Sequence, residues 1–310
     1  MSSNSTISIV SPVYLAQNII DELVKRVEEN VLKISNSYEI ILIEDGSPDN
    51  SWSKIEKVCE QNKNVKGVKL SRNFGQHYAI TAGLNESKGD FVIVMDCDLQ
   101  DNPKYISELY GKAVEGFDIV FTSKKSREHS FFKNITAKIF FRIFNYLSEN
   151  QSATSDVGAY SILSRKAVDA FCKINDAHRH YLLILRILGF KSAHIEIDHE
   201  KRLTGNSSYN FSKLIKHAIN GIASQSDKLL RLSIGVGFFV FFAAFIWACI
   251  LISLYFVRGA FPGYTSLMVM LLLSTGLILM SIGIVGIYIG KIFEQSKNRP
   301  LYIIDKKMNF

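Results

Sequence analysis

The sequence predicts a doubly wound α/β domain with a mainly parallel sheet, followed by a two-helix transmembrane hairpin. Short β-rich runs alternate with helical patterns through the first part of the chain, and polar residues cluster directly after four of those runs. Two long apolar runs near the carboxyl end contain no charged residue. With 310 residues, 47% hydrophobic and 21% charged, the chain is neither disordered nor of low complexity.

Strands are expected at Ile7 to Val10, Tyr38 to Ile43, Val65 to Leu70, Phe91 to Met95 and Asp118 to Phe121, from their β-branched and aromatic content. Helices are expected between them, at Asn18 to Lys33, Ser51 to Gln61, Gly75 to Glu86 and Pro103 to Glu115. Such alternation builds a parallel sheet with helices on both faces. Ser130 to Leu147 carries apolar residues at helical spacing with Lys133, Lys138 and Arg142 between them. It reads either as a helix lying in a lipid interface or as an ordinary amphipathic helix packed on the sheet. Residues 210–231 are a second juxtamembrane candidate.

Leu232 to Val257 and Leu267 to Ile289 each exceed the roughly 20 residues a helix needs to cross the hydrocarbon core. The linker between them holds Gly259, Pro262 and Gly263, which suits a tight hairpin. Lys228 and Arg231 precede the first run, and Lys291, Lys297, Arg299, Lys306 and Lys307 follow the second, against Arg258 alone in the loop. Basic residues stay on the cytoplasmic side, so the head (1–209) and the tail (290–310) are both expected there. Residues 1–6 are polar and show no apolar signal core. Gly283, Gly286 and Gly290 allow close helix approach, and a homo-oligomer is expected.

Cys59, Cys97, Cys172 and Cys249 are irregularly spaced with no C-x-x-C, which fits a reducing compartment and neither a disulfide scaffold nor a zinc site. The seven histidines form no metal-binding pattern. A net charge of +7, without a long basic run, suits a phospholipid surface rather than nucleic acid.

Open α/β sheets bind ligands beyond the carboxyl ends of their strands. Ser11-Pro12-Val13-Tyr14, Glu44-Asp45-Gly46-Ser47, Ser71-Arg72-Asn73 and Asp96-Cys97-Asp98-Leu99-Gln100-Asp101 occupy those places. Neither a G-x-G-x-x-G after the first strand nor a P-loop is present. Acidic side chains repel a diphosphate unless a divalent cation bridges the two, so a nucleotide is expected as its metal complex. Asp96 and Asp98 are spaced to approach one hard cation, Mg²⁺ or Mn²⁺, although acidic pairs are also common in surface turns. Asp45 suits a base or ribose, or a plain strand-to-helix turn capped by Ser47, Asp49 or Asn50. Arg72 suits a phosphate, beside a helix start that favours anions.

These four segments, the third extended through Phe74-Gly75-Gln76, resemble the successive nucleotide-sugar motifs of family 2 inverting glycosyltransferases with a GT-A fold. Among these the chain is most similar to polyprenyl-phosphate glycosyltransferases, the group of bactoprenol glucosyltransferases and dolichyl-phosphate mannose synthases. The likeness continues through Arg202-Leu203-Thr204-Gly205-Asn206-Ser207-Ser208-Tyr209, the two apolar runs, and Lys297-Asn298-Arg299-Pro300-Leu301-Tyr302.

The resemblance implies that Pro12, Tyr14, Glu44, Asp45, Ser71, Arg72 and Asp96 line the nucleotide-sugar site, with Asp45 on uracil or ribose. It implies that Asp98 and Gln100, with Asp96, hold Mg²⁺ or Mn²⁺. It places Asp96, Asp156, Arg127 and Arg202 in the catalytic set, the arginines facing phosphates and Asp156 near the acceptor. A nucleotide sugar, with UDP or a sister nucleotide, and undecaprenyl phosphate or a similar polyprenol are the implied substrates, at a bacterial cytoplasmic membrane. The chain departs from the family at Gly158-Ala159-Tyr160-Ser161, commonly G-D-F-R, and at Ser208, commonly lysine. Another lipid or glycan acceptor, or a non-catalytic scaffold with the same fold, are the competing expectations.

Overall fold

The computed structural model describes residues 5–124, 157–177, 179–197 and 263–310, with 235–240, 242–243, 245–247, 249–250 and 253. Two compact units result, one of Met1–Glu128, Thr154–Ser207 and Arg299–Phe310, the other of His129–Ala153 and Ser208–Asn298. In the first unit the order is β1 (Ile7–Val13), α1 (Ile20–Val31), β2 (Tyr38–Glu44), α2 (Ser51–Gln61), β3 (Val65–Leu70), α3 (Gln76–Glu86) and β4 (Phe91–Val94). A 3-10 turn, Pro103–Tyr105, leads into α4 (Ile106–Val114), then β5 (Ile119–Lys124), β6 (Val157–Ser164), α5 (Arg165–Lys173), α6 (Tyr181–Ile187) and β7 (Ser192–Ile197). The strand β8 (Ile304–Met308) closes the chain.

One eight-stranded sheet results, in the order β7-β5-β6-β4-β1-β2-β3-β8. The pairs β4–β1, β1–β2, β2–β3 and β5–β7 are parallel. The pairs β4–β6, β5–β6 and β3–β8 are antiparallel, so the sheet is mixed beyond its parallel centre. Every residue of β1 and β2 is buried, as expected for strands covered on both faces. Helix α1 turns Ile20, Leu23, Val24, Val27 and Val31 inward at a helical period, against Ile7, Ile9, Ile40 and Leu42. Each such fully buried aliphatic side chain contributes roughly 1.5–3 kcal/mol. The opposite face packs Val10, Ile41 and Ile43 against Ala79, Ile80 and Ala82 of α3.

At the amino ends of the strands, the buried Glu39 accepts from Ser8 Oγ at 2.6 Å, Lys66 Nζ at 2.6 Å and Lys88 N at 2.6 Å. Burial pushes this carboxyl up, but Lys66, Ser8 and the Lys88 amide outweigh burial and hold it below its ordinary value. The stability it contributes is therefore complete above the ordinary glutamate range and is lost as pH falls through the lowered value. Glu39→Ala strands Lys66 and is expected to cost roughly 3–5 kcal/mol at neutral pH, and less once pH has fallen through the lowered value, in thermal unfolding of the full chain.

The carboxyl-terminal residues, expected as a separate tail, instead supply the edge strand. Ser71 N donates to Ile303 O at 2.9 Å, and Asn309 Nδ2 donates to Cys59 O and Val65 O, each at 2.7 Å. Lys307 Nζ reaches Glu86 Oε1 at 2.7 Å. Deleting residues 299–310 bares the whole edge of β3, and the shortened protein is expected to unfold at lower temperature and to aggregate on size-exclusion chromatography.

In the second unit, α7 (Tyr264–Ser296) extends past both ends of the expected 267–289 span. Its Ser274–Ser296 stretch is, among the described residues, the one helix long and apolar enough to cross a membrane, and that stretch is mostly exposed. A shorter apolar helix, Gly235–Trp247, lies within the expected first span. Most of the rest of the first span and the linker (254–262), the amphipathic segment 130–147 and the juxtamembrane segment 210–231 lie outside the described residues.

Candidate active site

The chain passes β1, β2 and β3 in one direction and returns to lay β4 on the other side of β1, so the order reverses between β1 and β4. At such a reversal the loops leave in opposite directions and a crevice opens. The β1–β4 register ends at Val10 and Val94, whereas β1 continues beside β2 to Val13 and Glu44. Pro12 lies in that continuation. Val13 O accepts Asp45 N on the β2 side, so alternation turns the Pro12 nitrogen, which has no hydrogen to donate, to the side β4 has already left.

Three sets of bonds knit the loops around this crevice. Ser47 Oγ accepts from Leu15 N at 2.8 Å, Ser51 Oγ from Ala16 N at 3.2 Å, and Asp49 Oδ2 from Gln17 N at 3.2 Å, which joins the β1 and β2 loops. Asp45 accepts from Phe74 N at 2.7 Å and from Gly75 N at 2.8 Å, which joins the β2 and β3 loops. Gln76 Nε2 donates to Asp96 Oδ1 at 2.6 Å, which joins the β3 and β4 loops. Gly46 makes the second junction possible. At φ +58° its α-carbon passes so close to the next loop that an added Cβ would lie 2.2 Å from Asn73 N.

Just ahead of the expected anion site at the start of α3, Asp45, 3% exposed, accepts from Phe74 N and from the N-cap amide of Gly75, which leaves the helix's own first amides, from Gln76 onward, outside this clamp. Burial raises its carboxyl above the ordinary aspartate value, opposed by those two amides and by Arg72. Glu44, 1% exposed, bonds Ser47 N through Oε1; burial raises it too, opposed by that amide and by Lys69. Ser71 and Arg72 are exposed on the rim, with the Arg72 guanidinium 4.3 Å from the Phe74 ring centre. Tyr14 is 45% exposed on the opposite lip.

Asp96, Asp98 and Gln100 are half-buried just beyond β4, and Asp98 Oδ1 accepts Gln100 N at 3.1 Å. Leu99, at φ +57° and 3% exposed, anchors this turn in the core. Burial, reinforced by Asp96, pushes the Cys97 thiol up to about 12. Among the described residues no three His, Cys, Asp or Glu side chains converge as a closed metal cage. Asp96 and Asp98 offer oxygen donors only, the chemistry that fits Mg²⁺ or Mn²⁺ rather than a thiophilic metal.

Arg127, Asp156 and Arg202 lie outside the described residues. The departure at 158–161 falls in β6, where Tyr160 is fully buried and Ser161 Oγ lies 2.8 Å from the buried Tyr181 hydroxyl. A hydrogen-bonded hydroxyl pair thus occupies the place of the usual arginine. Gln76 is the site residue to which the motif reading gives no role. Its sequence signal is membership of the third motif, directly after Gly75 at the start of α3, and that motif attaches no task to it.

An α/β sheet with an acidic rim at its reversal point presents a crevice of the kind in which open α/β sheets bind their ligands. Residues 8–171 match the family described as Glycosyl transferase family 2, and the chain belongs to that family: it is a glycosyltransferase. It is 32% identical to an uncharacterised glycosyltransferase, YkcC, of Bacillus subtilis (strain 168), over 99% of this chain and 95% of that protein. It is also 32% identical to the undecaprenyl-phosphate 4-deoxy-4-formamido-L-arabinose transferase of Proteus mirabilis (strain HI4320), over 97% of this chain and 93% of that protein. The glucosyl-3-phosphoglycerate synthase of Mycobacterium tuberculosis, solved with Mn²⁺, UDP and phosphoglyceric acid, shares the fold. Its TM-score is 0.53 at 16% identity, covering 71% of this chain and 77% of that one.

Proposed function

We propose that this glycosyltransferase moves a sugar from a UDP-sugar to undecaprenyl phosphate or a similar polyprenyl phosphate, with inversion, at the cytoplasmic face of a bacterial inner membrane. The observation that carries the proposal is the crevice between β1 and β4, rimmed by Asp96, Asp98 and Arg72, in a chain that also contains the apolar helix α7. The relative in Proteus mirabilis, named for an undecaprenyl-phosphate substrate, supports the acceptor, and the neighbour solved with Mn²⁺ and UDP supports the donor complex.

The chain's own path supports two crossings. Strand β8 follows α7 yet pairs with β3 in the sheet that begins at β1. A crossing by α7 therefore requires a second crossing between β7 and α7, where residues 232–257 supply the apolar run. The catalytic part, 1–209, and residues 299–310 then share one side. Self-association through Gly283, Gly286 and Gly290 belongs to the same proposal.

Asp98, Gln100 and Asp96 would hold Mg²⁺ or Mn²⁺, whose positive charge offsets that of the donor diphosphate. Arg72 lies on the rim toward that diphosphate, and Tyr14 and Pro12 form the facing lip. Arg127 and Arg202 are assigned to phosphates and Asp156 to holding the acceptor. A lipid phosphate, with a second pKa of about 6, is already largely a dianion at neutral pH, so its oxygen attacks the anomeric carbon with little need of a base. The nucleoside diphosphate leaves from the opposite face, and one displacement inverts the centre. The burden on the protein is electrostatic: fixed charge where the diphosphate departs, in a crevice shielded by the knitted loops.

Full-length protein incubated with labelled UDP-sugars, undecaprenyl phosphate and Mg²⁺ or Mn²⁺ is expected to yield an organic-extractable, lipid-linked sugar. No such product across a broad panel of sugar donors contradicts the proposal.

A further inference from the structure

We propose that Gln76 is a positioning residue that orients Asp96 in the crevice, and that the Asp45 clamp aims it. The inference rests on the proposed function, because it assumes that Asp96 faces the sugar and diphosphate of the donor.

Gln76 opens α3 and its side chain is exposed, so it contributes little to the core. Its amide nitrogen is nevertheless 2.6 Å from Asp96 Oδ1, a short contact of the charge-assisted kind. Only the nitrogen end of the amide satisfies a carboxylate, since the oxygen end would repel it. The backbone that delivers this donor is fixed from both sides. Before it, Asp45 holds Phe74 N at 2.7 Å and Gly75 N at 2.8 Å. After it, Tyr78 N and Ala79 N bond to Gly75 O at 3.0 and 3.1 Å, which locks the first turn of α3. Gly75 itself takes φ +107°, a conformation that lets the chain turn sharply into the helix.

Ends of three strands are thus linked in series: Asp45 after β2, Phe74 and Gly75 after β3, and Asp96 after β4. A carboxylate that already accepts a fixed donor has lost most of its rotational freedom before the donor sugar arrives, which lowers the cost of reaching the reactive geometry. Gln76 touches neither reacting atom in this scheme and works through Asp96.

The test uses the full-length protein with Gln76→Ala and Gln76→Glu, and three readouts: thermal unfolding, calorimetric binding of UDP with Mn²⁺, and steady-state transfer from the UDP-sugar that wild type uses fastest. Thermal midpoints are expected within about 2 °C of wild type, because the side chain is exposed. Gln76→Ala is expected to lower kcat by roughly 10- to 100-fold, the worth of a hydrogen bond to a charged group, with the KM for undecaprenyl phosphate unchanged. Gln76→Glu sets two carboxylates face to face and is expected to lose more than Gln76→Ala in both kcat and Mn²⁺–UDP affinity. Turnover and Mn²⁺–UDP affinity within twofold of wild type in both variants would overturn the inference. So would equal losses in the two variants accompanied by a fall in thermal midpoint, the mark of a merely structural role. Wild type that binds Mn²⁺–UDP but transfers nothing to undecaprenyl phosphate defeats the proposed acceptor and leaves the binding comparison to decide on Gln76. Wild type that does not bind Mn²⁺–UDP defeats both.

Discussion

Asp98→Ala is expected to lower kcat for sugar transfer by about 10³-fold, roughly 4 kcal/mol of transition-state stabilisation, while the protein stays folded. The carboxylate sits half-buried in the turn after β4, and its hydrogen bond to Gln100 N at 3.1 Å lies within that turn. Core contact in the turn comes from the neighbouring Leu99, which the substitution leaves in place. The thermal midpoint should therefore hardly move, while Mn²⁺ affinity measured by electron paramagnetic resonance in the presence of UDP falls with kcat. Full turnover by the variant would remove Asp98 from the metal set.

Gly46→Ala is expected to damage stability and site together, by at least about 2 kcal/mol in thermal or denaturant unfolding. A residue with a Cβ is strained at φ +58°, and that Cβ would meet backbone on the facing loop: Asn73 N at 2.2 Å and the Arg72 carbonyl carbon at 2.3 Å. Neither atom moves aside cheaply, because Asp45 ties the same loop through Phe74 and Gly75. Relief must come from parting the β2 and β3 loops, which carries Arg72 and Gln76 away from Asp96. Loss of Mn²⁺–UDP binding should accompany the loss of stability. Gly111→Ala is the control. An added Cβ there meets nothing within 4 Å in the interior of α4, so this change is expected to be neutral or slightly stabilising.

What the sequence revealed follows from how each part is packed. The strands β1 to β4 are buried on both faces or nearly so, and burial forces apolar runs such as Ile40, Ile41, Leu42 and Ile43 that stand out without any partner in view. Strand β6 mixes Gly158, Ser161 and Ser164 into its ladder, and β8 contains Asp305, Lys306 and Lys307. Pairing with β4, β5 and β3 makes them strands, and a partner distant in sequence leaves no local pattern. The sheet consequently has antiparallel members that alternation of strands and helices does not predict. The terminal residues resemble a charged tail until β3 is seen beside them.

The candidate site was legible to the extent that strand ends dictate it. Pro12, Glu44, Asp45, Arg72 and Asp96 follow β-rich runs in sequence and meet along the carboxyl edge of one sheet. The division of labour among them was not legible, since it depends on distances. Asp45 reads equally well as a nucleoside ligand or as a turn residue, and its two bonds to Phe74 N and Gly75 N give it a structural task as well. Gln76 closes the third motif, but only its 2.6 Å contact with Asp96 gives it a task there.

The central claim is that the crevice between β1 and β4 receives a nucleoside diphosphate with its divalent ion beside Asp96 and Asp98. Anomalous diffraction at the manganese edge, from crystals of the full-length protein grown with Mn²⁺ and UDP, tests it most directly. The expected result is a single strong peak about 2.2 Å from a carboxylate oxygen of Asp98, with the diphosphate between the ends of β1 and β4. A peak and diphosphate lodged elsewhere, with both carboxylates out of reach, would contradict it.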